Sequence, residues 1–256
     1  MRKTLLITAA ILLLAAPSAF AQWTTIYETG FESPTYTSGQ VIEGQDNWGV
    51  TNSSYTSQIT VQTEPAPSTN QFMYLGGTST VGAYHEVGPY AEGKLRLTYD
   101  WMMLTTDTYS NDPAYGLWTM FTKTTDATSN RAGMIGGNYD STTGVGTFKA
   151  FNGGPGWTSF GSFQLNTRYQ LMMELDLTTR TYDVYLDGTK MLNGLNFYTS
   201  NLDSIGYLHF YRRYKAGTYA VDNVKVEYAP VPEPGSLFAL ACGLVGFTGL
   251  VRRRIR

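Results

Sequence analysis

Two carboxylates separated by one residue share a face when the chain is extended, and Glu174-Leu175-Asp176-Leu177 holds such a pair. Alternation sends Glu174 and Asp176 to one side of a strand and Leu175 and Leu177 to the other. Retaining glycoside hydrolysis needs a nucleophile and an acid/base carboxyl about 5–5.5 Å apart, one of them protonating the leaving oxygen. The chain continues as Thr178-Thr179-Arg180, so no further acid follows to play that second part. The pair therefore reads as the polar side of a hairpin.

A second set of residues offers hard oxygen ligands. Glu32 lies near the start of the chain and Asp222 near its end, and the two meet if the first and last strands pair. Calcium takes clustered carboxylate and carbonyl oxygens, so Glu32 and Asp222 are candidate ligands of a structural Ca²⁺, with Asp46 and Asn47 as further oxygen sources. A third set is aromatic. Trp157 follows Gly153-Gly154-Pro155-Gly156, and Tyr109 and Tyr115 flank Ser110-Asn111-Asp112-Pro113. A flat ring in a Gly-rich loop stacks on the apolar face of a pyranose while polar neighbours meet its hydroxyls, which makes Trp157, Tyr109 and Tyr115 candidate glycan contacts. Trp101 suits a core face instead, and Trp48, inside Gly44-Gln45-Asp46-Asn47-Trp48-Gly49, suits a structural turn.

Other chemistries find no residues. The only histidines, His85 and His209, form no H-E-x-x-H motif and no pair at helical spacing, which argues against a zinc hydrolase. Neither a G-x-S-x-G elbow nor a Walker or dinucleotide loop is present. Arg212, Arg213 and Lys215, beside Tyr211 and Tyr214, read as a solvated basic loop. With no complete catalytic constellation, the expectation is a protein without enzymatic activity.

These residues must be positioned by strands. In Lys94–Leu104, Leu95, Leu97, Tyr99, Trp101 and Met103 fall on one face at period two, and Arg96, Thr98 and Asp100 on the other. Similar runs recur at Trp23–Glu28, Tyr55–Thr63, Gln71–Leu75, Ala83–Val87, Tyr115–Lys123, Arg131–Ile135, Gly146–Phe151, Tyr169–Leu177, Thr181–Leu186, Ile205–Tyr211 and Thr218–Tyr228. Roughly a dozen strands punctuated by Gly, Asn, Asp, Ser and Pro predict an all-β antiparallel sandwich of jelly-roll type. Tyr182-Asp183-Val184-Tyr185-Leu186-Asp187-Gly188 closes the clearest hairpin, and it resembles a hairpin of concanavalin A-like and laminin-G-like sandwiches. Gly30-Phe31-Glu32 and Val221-Asp222-Asn223-Val224 carry the same resemblance; in several extracellular carbohydrate-binding and adhesion modules a similar pattern implies a structural calcium. Glu174-Leu175-Asp176 is similar to the start of the E-x-D strand of jelly-roll glycosidases, whose later Glu is replaced by threonine here.

The ends of the chain concern address rather than chemistry. Arg2 and Lys3, an apolar run from Leu5 to Ala16, and Ala19-Phe20-Ala21 form a signal peptide (residues 1–21) cleaved between Ala21 and Gln22. At the other end, residues 231–256 comprise Val231-Pro232-Glu233-Pro234, an apolar run Gly235–Val251, and Arg252, Arg253, Arg254 and Arg256. A run of 17 residues rises about 25 Å as a helix, at the short end of what spans a bilayer, and the arginines would keep its far end cytoplasmic. This arrangement resembles the PEP-CTERM sorting signal of Gram-negative bacteria. The resemblance implies recognition by an exosortase, a membrane cysteine protease that cleaves near Pro-Glu-Pro, with transient residence in the inner membrane and delivery to the cell surface or extracellular matrix.

Residues 22–230 remain as one expected domain. They contain 12 basic and 19 acidic side chains, an excess of negative charge that argues against nucleic acid as a partner. The only cysteine, Cys242, lies in the C-terminal apolar run, so this domain can form no disulfide. The sequence reading is an exported surface or matrix protein with extracellular polysaccharide as its expected ligand. A glycan-active hydrolase or lyase and a purely structural or adhesive module stand as its alternatives.

Overall fold

Period-two burial dominates the chain. In chain order the strands are β1 (Thr24–Thr29), β2 (Gly49–Val50), β3 (Ile59–Thr63), β4 (Gln71–Leu75) and β5 (Val81–Tyr90). Then come β6 (Lys94–Thr105), β7 (Leu117–Thr122), β8 (Arg131–Asp140), β9 (Val145–Phe151) and β10 (Trp157–Phe163). The series ends with β11 (Tyr169–Asp176), β12 (Thr181–Leu186), β13 (Thr189–Asn196), β14 (Ile205–Arg212) and β15 (Thr218–Ala229). This computed structural model describes residues 22–107, 116–154, 156–214 and 216–231, and the strands belong to the unit Trp23–Ala229. Tyr109, Tyr115, Ala21, Pro232, Glu233, Pro234 and the four terminal arginines lie outside the described residues. Among the described residues no helix is long and apolar enough to cross a membrane.

The expected antiparallel sandwich is present. One sheet runs β13-β12-β11-β6-β15-β4-β3, with β1 also pairing with β15; the other runs β10-β9-β8-β7-β14-β5-β2. Their inner faces interlock through large rings. Trp101 of β6 packs 4.9 Å from Phe148 and 4.6 Å from Phe163, and Tyr99 lies 5.2 Å from Phe210, centre to centre. Each such ring buries on the order of 150–250 Å², so its transfer from water contributes about 4–6 kcal/mol before entropy is counted. Trp101 is thus a core residue, as its place in the alternation predicts. Trp48 is structural too: its Nε1 donates to the hydroxyls of Tyr27 (2.9 Å) and Tyr36 (3.0 Å), which both donate to Asp46 Oδ2.

Local sequence explains the turns. Asp187 (φ 47°) and Gly188 (φ 75°) both take the left-handed conformation that a two-residue hairpin between β12 and β13 requires. In β15, Asn223 (φ 48°) forms a bulge: Asp222 still faces Asp100, but Lys225 already faces Thr98. The bulge falls where β15 passes from one neighbour to another, pairing with β4 through Val221 and with β1 from Val224 onward.

Three readings need correction. Residues 53–58 form a 3-10 turn, not the start of a strand, because Asn52 caps it by accepting from Ser54 N. The Gly-rich stretch after Asn152 is only a tight turn, closed by Asn152 N donating to Gly156 O at 2.7 Å, so Trp157 opens a strand rather than decorating a loop. Arg212 is fully buried in β14, with Nη1 donating to Ser79 O at 2.8 Å and Nε donating to Gly217 O, and so does not belong to a solvated loop.

Candidate functional site

β7 reads Leu-Trp-Thr-Met-Phe-Thr, and all six residues are buried. A strand buried on both sides needs cover on both. Leu117 and Phe121 enter the main core between the sheets, whereas Trp118 and Met120 join a second cluster with Ala127, Met134 and Tyr211, flanked by Phe151 and Trp157. This second cluster occupies the face of β7–β10 and β14 turned away from the main core. Register aligns its members across the strands. Tyr211 stands opposite Trp118, Trp118 opposite Gly136 and Gly136 opposite Lys149; in the neighbouring row His209 faces Met120, Met120 faces Met134, and Phe151 faces Trp157.

The result is a strip of rings. Tyr211 stacks on Trp118 (5.9 Å), Trp118 lies 6.1 Å from Trp157, Trp157 stands edge-on to Phe151 (5.6 Å), and Phe151 meets Tyr198 (4.8 Å). Gly136 makes the central contact feasible. A Cβ there would sit 2.7 Å from Leu117 O, 3.1 Å from Trp118 Cδ1 and 3.5 Å from Trp157 Cη2. Trp118 is buried, Trp157 and Phe151 are half-buried, and Tyr198 is exposed, so the Trp157 end of the strip is the end open to solvent.

Cations are set into this strip. The guanidinium carbons of Arg131 and Arg213 each lie 5.0 Å from the centre of the Trp118 ring, and that of Arg131 is also 5.0 Å from the ring of Tyr198. Arg131 is positioned by its Nε, which donates to Ala127 O at 2.8 Å, and by backbone pairing of Thr199 N with its carbonyl at 2.9 Å. Burial pulls the Arg131 pKa below the ordinary arginine value. His209, fully buried in the next row, is pushed down to about 4 by desolvation and is neutral at pH 7. Thr122 Oγ1 donates to Thr124 O, so it accepts from His209 Nε2 at 2.9 Å; the proton therefore sits on Nε2. Sequence reasoning singled out Trp157 but not Trp118 or Arg131. The interleaving of Trp118 and Met120 with Leu117 and Phe121 was the available signal.

The other candidates lie elsewhere. Glu174 and Asp176 occupy the outer face of the first sheet. Glu174 accepts from Arg96 Nη2 at 2.9 Å and lies 3.7 Å from Lys94 Nζ, while Asp176 Oδ1 caps the turn through Thr178 N and Thr179 N, both at 3.0 Å. Both are used structurally.

Glu32 and Asp222 do come to one place, at the bulge where β15 changes neighbours. A Cβ on Gly30 would lie 3.7 Å from Glu32 Cγ, 3.9 Å from Asp222 Oδ1 and 3.4 Å from Asn223 Oδ1. Glu32 Oε1 accepts from Gln71 N at 3.0 Å, and Asp222 Oδ2 accepts from Asn70 Nδ2 and Arg168 Nη1, both at 3.0 Å. Even so, burial holds the Asp222 carboxyl above the usual carboxylate range. Among the described residues no three His, Cys, Asp or Glu side chains group to hold a metal. A Ca²⁺ here would take the two carboxylates plus amide oxygens, and this all-oxygen set fits that ion.

No protein-family model matches the chain, and no curated protein matches its sequence. Solved structures do resemble it. The alginate lyase Aly36B superposes with a TM-score of 0.53 at 14% identity, covering 84% of this chain and 100% of that one. The globular domain of T. cruzi calreticulin gives 0.50 at 8% identity, covering 87% and 94%. A sialidase gives 0.46 at 15% identity, and the present chain spans only 17% of its length. At these identities the likeness establishes the β-sandwich fold. It also corrects the expectation of a protein without enzymatic activity, since the structure matched over its whole length is an enzyme with this fold.

Proposed function

We propose that this chain is an exported protein that engages an extracellular polysaccharide, as ligand or substrate, through the outer face of its second sheet. One observation carries the reading: the ring series Tyr211–Trp118–Trp157–Phe151 on the outer face of the second sheet, running from a buried end to a solvent-open one where Tyr198, from the segment after β13, joins it. Flat rings held rigidly by a sheet meet the apolar faces of successive pyranoses at little entropic cost. Trp157 forms the open platform, Phe151 stands edge-on beside it, and Trp118 stiffens it from behind. The alginate lyase of similar fold agrees with this reading without carrying it. Co-sedimentation of the purified chain with insoluble polysaccharides tests it, together with an assay for released oligosaccharides that separates ligand from substrate. Failure to sediment with any polysaccharide would remove the proposal.

The targeting reading joins it. Val231-Pro232-Glu233-Pro234, the apolar run and the four arginines support sorting by an exosortase-type protease after transit through the inner membrane. Mass spectrometry of the mature protein from cells should find a C-terminus between Val231 and Gly235; an intact Arg256 contradicts processing. Glu32 and Asp222 support a structural Ca²⁺ that fastens the first strand to the last.

A further inference from the structure

The cations of this domain fall into two groups. Lys94, Arg96, Lys123, Arg168, Lys190 and Lys225 each pair with a carboxylate. Of those with no carboxylate partner among the described residues, Arg180 donates to Ser200 O and Arg212 to Ser79 O and Gly217 O, whereas Arg131 and Lys149 both lie on the aromatic face of the second sheet.

Arg131 is the more telling of the two. The residue is only 6% exposed, and its guanidinium lies between the rings of Trp118 and Tyr198. Its single side-chain hydrogen bond uses Nε, leaving both Nη atoms without a protein acceptor; neither is among the buried unpartnered atoms, so both keep access to solvent. The nearby carboxylate is spent locally. Asp126 accepts from Thr128 N, Thr128 Oγ1 and Ser129 Oγ. A guanidinium buried on its flanks, fixed through Nε and open at its fork presents two parallel donors to a planar or tetrahedral anion. Arg213, on the same Trp118 ring, and Lys149, one strand beyond Gly136, extend the positive potential along the strip.

We infer that the strip is selective for acidic glycans: Trp157 stacks on the sugar ring, while the Arg131 fork, supported by Lys149 and Arg213, holds the carboxylate or sulfate that the sugar bears. This rests on the glycan-binding reading of the same face and narrows it to a substrate class. Neutral sugars offer the rings the same apolar faces but leave Arg131 desolvated without an anion, a loss that sets the discrimination.

The test compares binding of the purified full chain to a polyuronate, a sulfated galactan and a neutral glucan of matched length. The inference predicts at least a tenfold preference for an acidic polymer over the glucan, worth about 1.4 kcal/mol, and weakening by added salt. Preference for the polyuronate assigns the anion as carboxylate, and preference for the galactan assigns it as sulfate. Arg131→Gln should remove the preference, weakening binding of the acidic polymer and relieving the desolvation loss on the glucan. Because that residue is buried, Lys149→Gln at the half-buried position serves as a second variant and should reduce the preference about threefold by charge alone. Equal binding of all three polymers, insensitive to both variants, overturns the inference but leaves glycan binding standing. Binding of none overturns both.

Discussion

The two outer faces of this sandwich are built on opposite principles. On the first sheet, Arg96 bridges Glu174 and Glu227, Lys94 reaches Glu174 and Asp176, and Lys225 reaches Glu227. That face alternates cleanly between half-exposed polar and buried apolar positions and behaves as solvated surface. On the second sheet, β7 and β14 are buried on both sides, and the outward positions hold rings with cations set among them. Exposed ion pairs contribute little and turn over easily; aromatic burial contributes much and fixes geometry. A sheet face that places large apolar rings outward, open at one end, is arranged to meet something other than water.

This contrast can be broken or sharpened by substitution. Trp118→Ala should produce the largest change, costing about 3–5 kcal/mol of stability because the ring is almost wholly enclosed and its neighbours cannot collapse into the space. A loss below about 1 kcal/mol in denaturant titration would mean the second cluster is surface rather than core.

His209 comes next. Its folded pKa of about 4 lies below the ordinary 6.5, so between those values the unfolded chain binds a proton that the folded chain refuses. From this residue, stability is constant above pH 6.5, falls as pH drops toward 4, and loses on the order of 3 kcal/mol across that window. Urea midpoints for wild type and His209→Gln, measured from pH 7 to pH 4, should show the wild-type slope reduced in the variant. Equal slopes would deny that the outer face is dry at this position.

Calcium tests the first sheet in its own terms. At an affinity typical of extracellular modules, 1 mM Ca²⁺ should stabilise the Glu32–Asp222 junction by about 0.4–1.4 kcal/mol, visible as a lower Tm in EDTA. An unchanged Tm removes the ion. Glu174→Gln should be the smallest effect, below about 1 kcal/mol, since it loosens one ion network on a half-exposed face.

Alternation in the sequence made much of the fold legible. Gln71–Leu75 and Thr181–Leu186 appear with the bounds their patterns indicate, and the alternation in Lys94–Leu104 assigned Trp101 and Tyr99 to the core. β13 escaped because Thr-Lys-Met-Leu-Asn-Gly alternates weakly on an exposed edge, and β2 has only two residues. The junction of Glu32 with Asp222 was accessible because pairing of terminal strands is a general tendency. The strip itself was only partly legible. Trp157 stood out beside its glycines, but its contacts with Trp118 and the placement of Arg131 arise from register across four strands. Register is a property of the assembled sheet and leaves no mark on any one of its strands.

Polysaccharide co-sedimentation of Trp157→Ala beside Glu174→Gln, both first checked for native melting, measures the central claim directly. The account predicts that Trp157→Ala loses most of its binding, at least tenfold, because stacking at the open end of the strip is removed, while Glu174→Gln binds like wild type. Binding that survives Trp157→Ala and disappears with Glu174→Gln would move the functional face to the other sheet and contradict it.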